Sequence, residues 1–337
     1  MNIHSLLEIA QINIRDTVTL ALNHTSQQKA IIVFDEESEL SQLLTEAYRG
    51  ILPEAQTWDF NRSSSEEILD SMDALTPGDL VVLLQSSSFR FSKFRIRIEL
   101  FDRCLKVIEH PHLARIGEGE LATYIEALAY DPAYYREVGP RLGERIARAS
   151  QVKIITDNAE LIYESTFEGP KLNIGHYEGM KNVGGQFPIG EIFTEPRDVT
   201  RVNGTVKLFA FGNTDFSVNF PNNPFIAKIE RGLLVSSPDA PKAFHTVLDE
   251  IRSKEEVVWV RELGFGLNRA LTREKHVTDI GTYERMCGLH FSLGTKHLQY
   301  KKPGFPRKQG FHVDVFVDSP RVEIDGWVVF QNGCYKV

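Results

Sequence analysis

The segment Gly310-Phe311-His312-Val313-Asp314-Val315 places an imidazole and a carboxylate two residues apart in a strand-forming run. Alternate residues of a strand point to one face, so His312 and Asp314 project side by side. That pair on one rigid strand suits zinc, manganese or ferrous iron. Taken alone, it reads more readily as a satisfied structural histidine beside a surface aspartate. Three further segments set polar groups in glycine-flanked apolar runs. Pro188-Ile189-Gly190-Glu191-Ile192-Phe193-Thr194 carries a carboxylate directly after a turn. Arg261-Glu262-Leu263-Gly264-Phe265-Gly266-Leu267-Asn268 carries another, with two glycines that let backbone approach a site closely. Leu289-His290-Phe291-Ser292-Leu293-Gly294 adds a second histidine. Each has an ordinary alternative: a sheet-edge charge for Glu191, a salt-bridge partner for Glu262, a hydrogen-bonded core histidine for His290. Buried charges are costly unless paired or metal-bound, so several in apolar contexts point to a shared cation.

The elements that would position these groups fall into two textures. In the first, Ala30-Ile31-Ile32-Val33-Phe34 and Asp79-Leu80-Val81-Val82-Leu83-Leu84 are short β-rich runs. Helical patterns predict helices over Met1 to Asp16, Glu37 to Tyr48 and, interrupted near Asp131-Pro132, Glu120 to Ser150. Alternating strands and helices imply a parallel α/β sheet. After Ser150 strand patterns and glycines dominate, as in Val152 to Thr156, Glu160 to Glu164 and Val206 to Ala210, with one helix predicted over Asp239 to Ser253. The expected fold class is an α/β N-terminal domain (1–150) plus an α+β, strand-rich C-terminal metal-binding domain (151–337).

A chain of 337 residues, 42% hydrophobic, is long enough for two cores. Its net charge of −8 argues against a general nucleic-acid binder, which draws on a basic surface. Cys104, Cys287 and Cys334 are widely spaced and form no CxxC pair, as expected in a reducing compartment. The N-terminus lacks the basic start and unbroken apolar run of a secretory signal, and no stretch reaches the roughly 18 apolar residues of a membrane span. A cytoplasmic protein with neither nucleic-acid nor membrane partner is the expectation.

The order Gly190-Glu191-Ile192-Phe193-Thr194-Glu195-Pro196, Val202-Asn203-Gly204, Glu262-Leu263-Gly264, His290-Phe291-Ser292-Leu293-Gly294 and His312-Val313-Asp314 resembles the thermophilic metallo-aminopeptidase family, the aminopeptidase T type. The ending Ser319-Pro320-Arg321-Val322-Glu323-Ile324-Asp325-Gly326 is similar too. The resemblance covers about residues 150 to 330, and the chain looks like a shorter branch. It implies that Glu191, Glu262, His290, His312 and Asp314 bind two divalent ions (zinc, cobalt or manganese). Metal-activated water would then attack an amide bond of a peptide or small amide. Glu284 lies near a further acidic position of the family and is a candidate for proton transfer, although the match slips there by a residue. The resemblance also implies a homodimer.

One departure bears on the reaction. Where those peptidases place a tyrosine, seven residues after the histidine of the HxxLG segment, this chain has His297, and Tyr300 follows three residues later. A histidine can move a proton near neutral pH and suits a different chemistry. The chain also resembles the 2,5-dihydroxypyridine dioxygenases, which use one ferrous ion held by a Glu, a His and an Asp. Glu262, His312 and Asp314 match that set, and a mononuclear iron with open positions binds a chelating substrate and dioxygen together. The expected function is a metal-dependent hydrolase, with a ring-cleaving iron dioxygenase as the alternative.

Three other segments stay open. Glu109-His110-Pro111-His112 offers a histidine to a site or a simple turn. The basic and aromatic run Arg90 to Ile98 fits a solvated face, or an anchor for a substrate carboxylate through Arg95 or Arg97. Tyr300 to Lys308 reads as a lid or an ordinary surface loop.

Overall fold

The computed structural model describes residues 3–91, 94–300, 310–318 and 321–337. The chain divides into two compact units. One comprises Met1–Arg136, Asn173–Ile189 and Lys275–Val277; the other comprises Glu137–Leu172, Gly190–Glu274 and Thr278–Val337.

The first unit is a five-stranded parallel sheet with helices. Its strands are β1 (Ala30–Phe34), β2 (Gln56–Asp59), β3 (Leu80–Leu84), β6 (Lys106–His110) and β10 (Val183–Gln186), in the order β10-β6-β3-β1-β2. A short hairpin of β4 (Arg90–Phe91) and β5 (Phe94–Arg95) precedes β6. β3 is buried at every position, which is why its sequence is an unbroken apolar run: a parallel sheet is covered on both faces. α1 (Ile3–Asp16) buries Leu6, Ala10 and Ile14, spaced one helical turn apart. α2 (Glu39–Ile51) starts where the Ser38 side chain accepts the Ser41 N–H, and α3 (Ser65–Asp73) starts at a capping box of Ser64 and Glu67. α4 (Ile96–Asp102) and α5 (Leu121–Ala127) complete the unit, and α6 (Pro132–Arg148) leads into the second. Gly184 in β10 has φ +103°, and a Cβ there would overlap the backbone of Val107 in β6, so only glycine lets this edge strand pair.

His110 closes β6 as a core residue. Its Nδ1 lies 2.9 Å from the Tyr124 hydroxyl and its Nε2 2.8 Å from the Tyr48 hydroxyl. Tyr124 spends its proton on Phe187 O, so Nδ1–H donates to Tyr124 and Nε2 accepts from Tyr48. Burial lowers the His110 pKa to about 3 and fixes the neutral ring. The Glu109-His110-Pro111-His112 motif therefore ends a strand and satisfies a core. Of the run Arg90 to Ile98, residues 92–93 lie outside the described residues.

The second unit is a strand-rich, largely antiparallel sheet. Before the centre come β7 (Val152–Thr156), β8 (Ala159–Tyr163), β9 (Lys171–Asn173) and β11 (Glu191–Thr194). β12 (Val202–Gly212), β13 (Val218–Asn219), β14 (Phe225–Glu230) and β15 (Leu233–Ser236) follow, then β16 (Val260–Gly266), β17 (Gly288–Gly294) and β18 (His312–Val317). β19 (Arg321–Ile324), β20 (Trp327–Gln331) and β21 (Cys334–Tyr335) end the chain. The main order is β21-β20-β19-β7-β8-β12-β18-β17-β16-β11-β9. α7 (Lys242–Glu255) buries Phe244, Val247, Leu248 and Ile251 on one face, and the Phe211, Phe225 and Phe244 rings pack 4.8–6.1 Å apart. α8 (Ile280–Tyr283) is a single turn capped by the Asp279 carboxylate on Thr282 N–H. No helix among the described residues is long and apolar enough to cross a membrane.

Candidate metal centre

Strand register brings the five candidate ligands to one face of β18-β17-β16-β11. In β17 and β18, His290 pairs with Phe316, Ser292 with Asp314 and Gly294 with His312. His290 also pairs with Gly264 in β16, and Glu191 of β11 pairs with Gly266. Glu262 lies in the register irregularity between Val260 and Leu263, and its carboxylate reaches the same cluster. The glycines make room. A Cβ on Gly264 would fall 2.7 Å from His290 Cδ2 and closer still to Nε2 and Cε1, and a Cβ on Gly266 would overlap the backbone of Arg285 and Met286. The two glycines noted in the sequence thus clear the space that the imidazole and a neighbouring loop fill.

Two groups of side chains converge there. Glu191, Glu262 and His290 form one; Glu262, His312 and Asp314 form the other; within each group the donor atoms lie within 4.8 Å of one another. His290 Nε2 is 3.5 Å from Glu191 Oε1 and 3.8 Å from Glu262 Oε1, and His312 Nε2 is 3.4 Å from Asp314 Oδ1. His312 Nδ1 faces Thr295 O at 3.4 Å, which turns Nε2 toward the group. Among the described residues, Glu262 Oε2, His290 Nε2 and Asp314 Oδ1 are buried without a hydrogen bond, the last two in ion pairs only. Three under-satisfied ligand atoms in an O- and N-rich cluster are what a divalent cation would satisfy, so the residues fit such an ion.

The electrostatics agree. Burial raises the Glu262 carboxyl to about 7, with Glu191 and Asp314 adding to the rise and the histidines opposing it. Against burial, Glu191 and Glu262 hold His290 well above its ordinary value, and Asp314 holds His312 up at about 10. Burial would raise Asp314, but His312 pulls it down. The protons that the cluster holds would leave when a cation binds, because ligands coordinate deprotonated.

The two proposed proton carriers border this cluster. Glu284 follows α8, ion-pairs with Arg285, and is raised to about 8 by burial and by Glu191 and Asp314, with Arg285 opposing. The His297 ring meets the His312 ring edge-on at 5.5 Å and the Phe193 ring at 4.9 Å. Its Nδ1 accepts from Gln299 N–H at 3.3 Å, which in the neutral ring leaves the proton on Nε2. Tyr300 donates its hydroxyl to Gly169 O and Phe193 O, both at 3.1 Å, and is committed to backbone. Residues 301–308 of the expected lid lie outside the described residues.

Two charged residues here escaped the sequence reading. Arg285 is buried, paired with Glu284, with one guanidinium nitrogen 3.9 Å from Glu191 Oε2. Glu195 is 1% exposed, accepts His297 N–H at 2.8 Å and lies 3.5 Å from Lys296 Nζ. Strand parity was the available signal for Glu195, two and four residues beyond Phe193 and Glu191. Arg285 had none, because the turn that carries it is placed only by tertiary packing.

No family model and no curated protein matches the sequence. Solved structures do. The 2,5-dihydroxypyridine dioxygenase from Pseudomonas putida KT2440 superposes with a TM-score of 0.65 at 11% identity, over 100% of this chain and 98% of that one. Wild-type AmpT, an aminopeptidase T from Thermus thermophilus, superposes with a TM-score of 0.56 at 13% identity, over 98% of this chain and 99% of that one. The chain shares the fold of both enzymes. The two resemblances read from motif order thus hold at the level of structure, along the whole length and not only beyond residue 150. The α/β and strand-rich halves were both expected.

Proposed function

We propose that this protein is a divalent-metal-dependent hydrolase acting on an amide bond of a peptide or small amide. The observation that carries the reading is the pair of three-residue groups that share Glu262, an arrangement suited to two neighbouring ions bridged by one carboxylate. Glu191 and His290 would hold one ion, His312 and Asp314 the other. Two such ions would polarise the scissile carbonyl and activate the attacking water near neutral pH. Burial and the neighbouring Glu191 and Asp314 carboxylates favour the protonated form of Glu284, which makes it the candidate to pass a proton to a leaving amine. His297, its ring edge-on to that of His312, can orient the substrate. The likeness in fold to an aminopeptidase T supports this reading.

A second reading rests on Arg285. Its buried guanidinium beside Glu191 and Glu284 already supplies positive charge at that end of the cluster, which disfavours a second cation there. One ferrous ion on Glu262, His312 and Asp314 would then remain, as in a ring-cleaving dioxygenase, and the fold likeness to such an enzyme is consistent with it. Metal analysis of the purified protein separates the two. About two ions per chain, with hydrolysis of an aminoacyl amide, is expected. One iron per chain, with dioxygen consumed on adding a dihydroxylated pyridine, overturns the hydrolase.

A further inference from the structure

The first unit contains a largely apolar cavity with a polar rim that the proposed reaction does not use. It lies at the amino ends of β1 and β2, beside the π-helical turn Thr17–Ala21 that extends α1, and encloses about 700 Å³. That volume is in the range of small-molecule sites, and π-turns recur at functional sites. Ligands of open α/β sheets usually bind at the carboxyl ends of the strands, so this cavity is at the opposite edge. Its wall is aliphatic, with Val18, Ile31, Ile51, Leu52 and Leu75, and no aromatic ring lines it to stack a base.

The polar groups in the cavity share a bias. His24 is 8% exposed, and its Nδ1 is buried without a hydrogen bond. Arg15 and Lys29 line the cavity with exposed side chains and form no ion pair among the described residues. Asp79, the carboxylate near Lys29, is spent on the Lys29 and Thr76 backbone N–H groups. Lys106 is tied to Asn23 O and Gln28 Oε1. Glu54 is the single acidic residue among those lining the cavity, so the rim is net positive.

We propose that this cavity binds a small amphipathic carboxylate. The apolar chain lies along the aliphatic wall beside His24, and the carboxylate faces the rim that Arg15 and Lys29 share. The proposal is independent of the metal centre. The test titrates the full-length protein with octanoate, and with octanamide and acetate as controls, by calorimetry and by NMR of the histidine Cε1–H signals. The His24 signal is assigned from its loss in His24→Gln. Octanoate should bind and shift that signal, while octanamide and acetate bind at least about tenfold more weakly. Arg15→Gln with Lys29→Gln, both exposed and expected to fold normally, should weaken octanoate by about tenfold. Octanamide binding as tightly as octanoate, an unmoved His24 signal, unchanged affinity in the double variant, or no octanoate binding up to its solubility limit each overturns the proposal.

Discussion

Gly264 offers the sharpest perturbation of the metal centre, because replacing it with alanine adds one methyl group and no charge. A Cβ there would sit 2.7 Å from Cδ2 of the His290 ring and nearer still to Nε2 and Cε1. The ring is 1% exposed and packs against Phe316 at 5.9 Å, so it has little room to retreat. Overpacking of this kind costs about 1–3 kcal/mol. At about 2 kcal/mol, the second unit should melt roughly 4–8 °C lower. The displaced imidazole would no longer reach Glu191 and Glu262, while Glu262, His312 and Asp314 keep their geometry. Gly264→Ala should therefore lose the ion shared by Glu191, Glu262 and His290 and keep the other, as read by metal content per chain after equilibration with manganese or zinc. Wild-type metal content together with an unchanged melting temperature would refute the steric argument.

Arg285→Leu leaves Glu284 and Glu191 without their buried cation and should cost about 3–5 kcal/mol in the presence of EDTA. Excess manganese should narrow that gap, and a variant as stable as the wild type in urea would contradict the ion pair's role. Acid stability follows from His110, whose pKa is about 3 folded and about 6.5 unfolded. Below pH 6.5 the unfolded chain takes up a proton that the folded chain refuses, so stability is full above 6.5 and falls as pH drops toward 3. The loss is about 3 kcal/mol by pH 4.5, and a His110→Gln variant with an equally steep decline over that window would refute it. Tyr300→Phe removes hydroxyl bonds to two carbonyls and should cost about 1 kcal/mol with turnover within about threefold of wild type. A hundredfold loss of turnover would instead make that hydroxyl part of the chemistry.

Much of the candidate site was legible because strands obey a period of two. His312 and Asp314 show it within one segment, whereas Glu262 sits at a break in the register of β16 that the period does not predict. The order of the segments then linked strands that only the register of the sheet brings together. At 11–13% identity to its structural neighbours the chain keeps few residues in common, so motif order conveys the fold where overall similarity does not. What stayed hidden was set by packing. Arg285 reaches the cluster because α8 and its turn fold back over Gly266, which no local pattern encodes. His110 could be weighed only once Tyr48 and Tyr124 were seen on either side of it. The segment Val183–Gln186, amid strand and glycine texture, carries nothing in its own residues that assigns it to the parallel sheet.

That strand has a consequence for the order in which the protein can be made. β10 pairs with β6 but lies 73 residues beyond the last residue of β6, after the first strands of the other sheet. Emerging from the ribosome, the parallel sheet must wait with the outer edge of β6 unpaired until residue 186 is out. An unpaired edge strand is a template for wrong partners. Expression of residues 1–150 alone would make that exposure permanent, and the fragment should aggregate although it contains four of the five strands.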